Sequence, residues 1–386
     1  MNILLALFVI FTTAISGPQQ DQSSLSKLWN TAKIAMQAQP DTPEPDLPSV
    51  VAGDPQPDAV KVKGVYVTAY SAGGERMASL LSLLDKTDLN AMVIDLKDDA
   101  GYITYKTENE KLNSLATPQR FIKDIGKLVT TLKEHEIYPI ARIVVFKDSI
   151  LAKNHPELSF INKDGTVWQN SKKDRFVNPY RKEVWEYNVE LAKEAALLGF
   201  KEIQFDYVRF PEGFEKKADG LKFTQTDLSR VDIVAQFVEY AKKELEPFGV
   251  RVSVDIFGYA ASVPAAEGIG QDFVKISNAV HVICPMVYPS HYSTGWYKQK
   301  YPDKAPYEII KGSMDDTHKK LEPLGDNKPI IRPWIQDFTA SWLGKGHYLK
   351  YGAAEVEAQI KALKDSGVDE YLLWNAGNKY TADVKY

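Results

Sequence analysis

Cysteine is almost absent from this 386-residue chain, where Cys284 stands alone. No intramolecular disulfide can form, and no cysteine-rich zinc site can be built. Cys284 falls inside an apolar run and reads as packing. Histidine is scarce as well: His135, His155, His281, His291, His318 and His347 show neither His-x-His nor His-Glu-x-x-His spacing. That argues against a zinc hydrolase or a metal-dependent polysaccharide deacetylase. There is no Gly-x-Ser-x-Gly elbow, and no Gly-x-Gly-x-x-Gly follows the first strand, so serine-hydrolase and dinucleotide-binding chemistry both lack their motifs. A large excess of one charge sign is missing too. A formal net charge of -4 gives no basic footprint for nucleic acid. We expect no cofactor and no resident metal; Asp95, Asp98 and Asp99 have the oxygen chemistry for a hard cation, but Lys97 among them reads equally well as part of a charge network.

Long hydrophobic runs are also lacking. The one at the amino terminus, Ile3 to Ile15, is short for a bilayer span and leads into Ala14-Ile-Ser16 before Gly17, a small-x-small pattern that suits signal peptidase. No Lys or Arg precedes Lys27. We therefore expect residues 1–16 to be a signal peptide and the protein to be exported to the periplasm, cell surface or medium, with no integral membrane domain after removal. Residues 17–60, rich in Pro, Gln and Asp, read as a disordered tether with a short helix near Leu25 to Gln37.

What is present lies beyond the tether. With 44% hydrophobic and 11% aromatic residues, 61–386 can bury one large core. Strand-like segments at 64–70, 91–97, 138–146, 202–210, 250–258, 279–288, 329–336 and 370–375 alternate with helix-like segments at 77–84, 118–135, 182–198, 227–245, 315–321 and 353–366. Gly199 and Gly367 follow helical runs as terminating glycines. Eight strand-helix alternations predict an α/β fold of the (β/α)8 TIM-barrel type.

Several strands end in charge. In Glu202-Ile-Gln-Phe-Asp206-Tyr-Val-Arg209-Phe-Pro211 the alternation delivers Asp206 at the carboxyl end, where such barrels keep their chemistry. On the fifth strand Val250, Val252, Val254 and Ile256 make an outward aliphatic face, leaving Arg251, Ser253, Asp255 and Phe257 inward. By the same parity Tyr66, Thr68, Tyr70, Asp95, Lys97, Arg142, Val144, Phe146, Trp334 and Gln336 face inward, while the sixth strand is apolar on both faces. An interior of carboxylates, fixed polar groups and an indole is the inventory of a carbohydrate site. Asp206 and Asp255, on neighbouring strands, are the candidate catalytic pair, and salt-bridged acids partnered by Arg142 or Arg209 are the plainer explanation of the same positions. Tyr70, Asp95, Lys97, Asp98, Arg142, Tyr207, Arg209, Tyr288, His291, Trp334, Gln336 and Trp374 are the candidate substrate-binding residues; Trp374 reads equally as a core residue closing the barrel, and His291 as a structural loop residue.

The strings Gly64-Val-Tyr-Val-Thr-Ala-Tyr70-Ser-Ala-Gly73, Val93-Ile-Asp-Leu-Lys-Asp-Asp99, Ala141-Arg-Ile-Val-Val-Phe-Lys-Asp148, Glu202 to Pro211, Pro285-Met-Val-Tyr-Pro-Ser-His291 and Arg332-Pro-Trp-Ile-Gln-Asp337 together resemble a glycoside hydrolase family of bacterial barrels first catalogued as a domain of unknown function. The resemblance runs from about Lys63 to Lys379. It implies a TIM barrel related to α-glycosidase barrels, whose nucleophile is an aspartate ending strand four. Here that is Asp206. Related barrels take the acid from strand five or six, and the sixth strand here ends in Met286, Tyr288 and His291 without a carboxylate, which favours Asp255; Asp98, Glu212 and Asp337 are the other acids in view. The expected activity is hydrolysis of a polysaccharide or cell-envelope glycan. A non-catalytic carbohydrate-binding barrel is the alternative.

Overall fold

The computed structural model describes residues 61–386. The expected leader (1–16), tether (17–60) and short helix near Leu25 lie outside the described residues. Nine strands run in chain order: β1 (Lys63–Val67), β2 (Ala91–Lys97), β3 (Tyr138–Val144), β4 (Glu202–Asp206), β5 (Arg251–Phe257), β6 (Val282–Met286), β7 (Ile330–Ile331), β8 (Trp334–Gln336) and β9 (Tyr371–Trp374). Every pairing is parallel, and the pairs β5–β6 and β1–β9 close the sheet into a ring. β7 and β8 both pair with β6 and are two halves of one stave, interrupted at Arg332-Pro333, where proline has no N–H for the ladder. The result is the expected eight-staved (β/α)8 barrel.

Helices fill the crossovers: Arg76–Leu84, Ile125–Glu134, Lys182–Leu198, Arg230–Leu245, Phe273–Asn278, Pro306–Leu321 and Ala353–Asp365. Gly199, at φ 105°, ends the third of these in the left-handed region, and Gly367, at φ 71°, follows the last. The second helix begins later than its apolar pattern suggests because the Asp124 side chain caps it at the Lys127 N–H.

The alternation sorts the staves into two layers. Met92, Ile94, Leu96, Ile143, Val252, Val254 and Ile256 pack outward against the helices, whereas Val93, Ile140, Val282, Cys284, Trp334 and Leu372 fill the lumen. β6, apolar on both faces, is thereby assigned: Val282 and Cys284 point in, Ile283 out. The lower end of the lumen is ionic. Arg332 donates to Glu202 and Glu370, each at 2.7 Å, in a fully buried triad. Phe146, expected inward, instead packs edge-on against Phe237 in the outer layer, since β3 ends at Val144 and the alternation stops there.

Candidate active site

The carboxyl ends of the staves surround a cavity of about 610 Å³. At its base lies Arg142, inward on β3 and fully buried. Its guanidinium donates from Nη1 to Asp95 Oδ1 at 2.6 Å, from Nε and Nη2 to Asp206 Oδ2 at 3.0 and 2.5 Å, and from Nη2 to Asp99 Oδ1 at 2.8 Å. A cation shared in this way holds in a low-dielectric interior only when the remaining lone pairs also find donors. They do: Tyr66 donates to Asp95 Oδ2 at 2.6 Å, the Tyr207 N–H to Asp206 Oδ1 at 2.5 Å, and Lys147 to Asp99 Oδ2 at 3.2 Å. Burial pushes Asp95 up to about 6 against the pull of Arg142. Burial acts the same way on Asp99, but Arg142 and Lys147 outweigh it and hold that carboxyl below the usual range.

Asp206 closes β4, and Tyr207 after it adopts φ 51°, a left-handed conformation rare for a bulky residue. The chain turns there, so the stave stops with its carboxylate at the cavity. Strain of this kind persists where neighbours hold it. Here the cations of Lys147 and Arg209 lie 4.7 and 4.9 Å from the Tyr207 ring centre. Burial, with the charges of Asp99 and Asp206, pushes the Tyr207 hydroxyl up to about 12, and it accepts from Lys147 at 3.4 Å.

Asp255 lies on the adjoining stave. The register Gln204↔Ser253 and Phe205↔Val254 brings the Asp206 and Asp255 positions side by side on strands about 4.8 Å apart. Their settings differ. Asp206 has a guanidinium against it, whereas Asp255 is buried and, among the described residues, has no salt-bridge cation and receives the Trp334 indole N–H, 2.7 Å from Oδ1. Burial first, then the Asp206 charge, raises the Asp255 carboxyl well above the usual range; the indole bond opposes this and is outweighed. With Oδ1 accepting from the indole, a proton on this carboxyl would sit on Oδ2.

Aromatic rings form the walls. Tyr66 stacks on Trp374 at a centroid distance of 4.1 Å, Trp334 meets Trp374 edge-on at 5.5 Å, and Tyr288 approaches it at 6.4 Å. His291, whose pKa is lowered by burial, sits beside Tyr288 at 5.2 Å. An open cavity of this size, with flat apolar faces and two unlike carboxyls, suits a sugar ring and a polar bond between sugars.

A family profile described as "Putative glycosyl hydrolase domain" matches residues 64–380. The chain belongs to this family. No curated protein matches it. Among solved structures, the chain is similar to the PgaB (BpsB) glycoside hydrolase domain from Bordetella bronchiseptica, with a TM-score of 0.56 at 13% identity over 82% of this chain and 94% of that one. It is also similar to the α-galactosidase TtGalA from Thermus thermophilus in complex with stachyose, with a TM-score of 0.51 at 10% identity over 86% of this chain and 64% of that one. A hypothetical protein from Ruminiclostridium thermocellum is 33% identical over 50% of this chain and 96% of its own, with a TM-score of 0.45. At 13% and 10% identity the first two speak for the shared fold.

In this glycosyl hydrolase family member, Arg142, Tyr207, Arg209, Tyr288, His291, Trp334 and Trp374 line the cavity with Asp206 and Asp255. Asp95 lies beneath, bound by Arg142 and Tyr66. Four expected binding residues sit elsewhere. β1 ends at Val67, and Thr68 caps the helix Ala69–Ala72, so Tyr70 is carried outward to 66% exposure against Phe121. A bulge in β2, where Asp95 pairs with Arg142 but Lys97 with Ile143, turns Lys97 into the helix layer, 2.6 Å from Asp148 and 2.9 Å from Asn188. Asp98 folds back to accept the N–H groups of Ala100, Gly101 and Tyr102. Gln336 points inward but is spent on Asp303, the Phe338 carbonyl and the Ser290 N–H, tying two loops together.

Of the other acids, Asp337 is engaged by Thr381, and Glu212 is an exposed rim residue 3.4 Å from Arg209. Asp98 accepts from its own loop while Asp95 and Asp99 accept from Arg142, so the three carboxyls do not converge, and no group of three or more metal-ligating side chains occurs among the described residues. Asp99, weighed only as a cation ligand, is a cavity residue, as are the loop residues Lys172, Tyr259, Tyr292 and Trp296. Loops lack periodicity. The available signal for the last pair was their nearness to Tyr288 and His291 in the sequence.

Proposed function

We propose that the protein is a glycosidase that cleaves a glycan by a carboxylate pair, with Asp206 as nucleophile and Asp255 as general acid. The observation that carries this reading is the contrast between two neighbouring carboxyls: Asp206 is held against a guanidinium, while Asp255 is buried against an indole N–H, where burial and the Asp206 charge favour its neutral form. Divided environments of this kind separate acid from base in a single site. Asp206 attacks the anomeric carbon as the glycosidic bond breaks, and Asp255 Oδ2 gives its proton to the departing oxygen. The Asp255 carboxylate then takes a proton from water as that water opens the glycosyl ester, which restores both groups. Arg142 positions Asp206 throughout.

The aromatic walls equally suit a carbohydrate-binding barrel without turnover. Leaving-group dependence separates the two. An activated aryl leaving group needs little proton donation, so Asp255→Ala should depress turnover of natural glycans by about 10²–10⁴ and of aryl glycosides far less. Equal losses on both substrate types would remove Asp255 from the acid role.

A further inference from the structure

The described residues expose few large hydrophobic side chains: Tyr70, Leu197, Tyr259 and Trp342. Leu197 sits at a helix end, but the three aromatics all lie in segments that follow the carboxyl ends of staves, the side of the barrel that holds the cavity. Trp342 is 65% exposed, on a short turn after β8, where its indole adds little to the core. It is not isolated, however. Its ring lies nearly parallel to Phe338, with a centroid distance of 5.8 Å and a 22° interplanar angle. Phe338 in turn meets Tyr288 edge-on at 6.0 Å and His291 at 6.5 Å, and both of those line the cavity. A continuous line of rings thus leads from the cavity wall to an open indole. After β5, Tyr259 stacks on Phe257 at 5.6 Å, and both line the same cavity.

An exposed aromatic surface contiguous with a binding cavity marks an extension of that site. The flat apolar C–H face of a pyranose matches an indole face, and its rim of hydroxyls stays in water. We propose that Trp342 and Phe338 form a distal sugar subsite, and that the substrate is accordingly a glycan chain extending past the cavity rather than a single glycoside. This rests on the glycosidase reading for its substrate class. As a binding platform it stands without turnover.

The test is affinity electrophoresis of the full chain through gels containing soluble polysaccharides (glycol chitosan, galactomannan, pullulan and dextran), alongside release of reducing ends from each. Wild type and Asp206→Asn should be retarded alike by at least one polymer. Trp342→Ala should weaken that retardation about tenfold, and Trp342→Phe should keep most of it, as expected for an aromatic anchor. Equal retardation of wild type and Trp342→Ala, or none of the wild type by any polymer, overturns the subsite. Retardation that depends on Trp342 without any release of reducing ends keeps the subsite and removes the hydrolase reading. Release of reducing ends with retardation indifferent to Trp342 does the reverse.

Discussion

At the scale of residues, the site turns on how differently two aspartates are treated. Arg142 could have neutralised either neighbour, yet its direct bonds go to Asp95, Asp99 and Asp206, and Asp255 receives an indole N–H instead. This sets a pH dependence whose sign can be worked out. In the proposed acid role Asp255 works while protonated, so activity should fall as the pH rises through its raised pKa. The Trp334 N–H favours the charged form, and Trp334→Phe removes that preference. The carboxyl should then hold its proton to higher pH, and the basic limb of the kcat/KM profile should move upward. A downward displacement, or an unmoved limb with unchanged slope, would show that Asp255 does not govern that limb.

Among the elements, alternation along the strands was the legible signal, and it failed where a strand did something irregular. On β5 the outward set Val252, Val254, Ile256 left Asp255 inward without ambiguity. On β6 both faces are apolar, so only its pairing with β5 and the β7/β8 stave shows that Cys284 belongs to the lumen. The β2 bulge was invisible because it depends on a partner strand 40-odd positions away, and it converts Lys97 from an expected sugar ligand into a structural cation. Its replacement should therefore be read in stability. Lys97→Met leaves Asp148 buried and without its cation, which typically costs about 3–5 kcal/mol. We expect a correspondingly lower urea midpoint with KM little changed in the surviving folded protein. A raised KM at unaltered stability would return Lys97 to the binding site. The loops that carry Asp99, Tyr292 and Trp296 to the cavity had no periodicity to read, and their positions follow from closure of the barrel.

For the molecule as a whole, eight parallel staves put an ionic floor at one end and the candidate site at the other, with an apolar lumen between them. The fold was legible because repeated strand-helix alternation leaves few architectures open. The nearness of the two candidate acids was legible because Asp206 ends β4 and Asp255 lies inward near the end of β5, and Arg142 was in view as a partner. The rest of the network was not legible, since it brings Tyr66, Asp95 and Asp99 together with Arg142 from three staves and a loop. The central claim is that this network arms Asp206 for attack. Asparagine at that position is nearly isosteric and keeps an oxygen for Arg142, but it cannot form the glycosyl ester. The decisive measurement is release of reducing ends from a glycan panel by wild type and by Asp206→Asn, with circular dichroism to show that both are folded. The account predicts release by the wild type and a loss of at least about 10³-fold in the variant; release by a folded Asp206→Asn at the wild-type rate would contradict it.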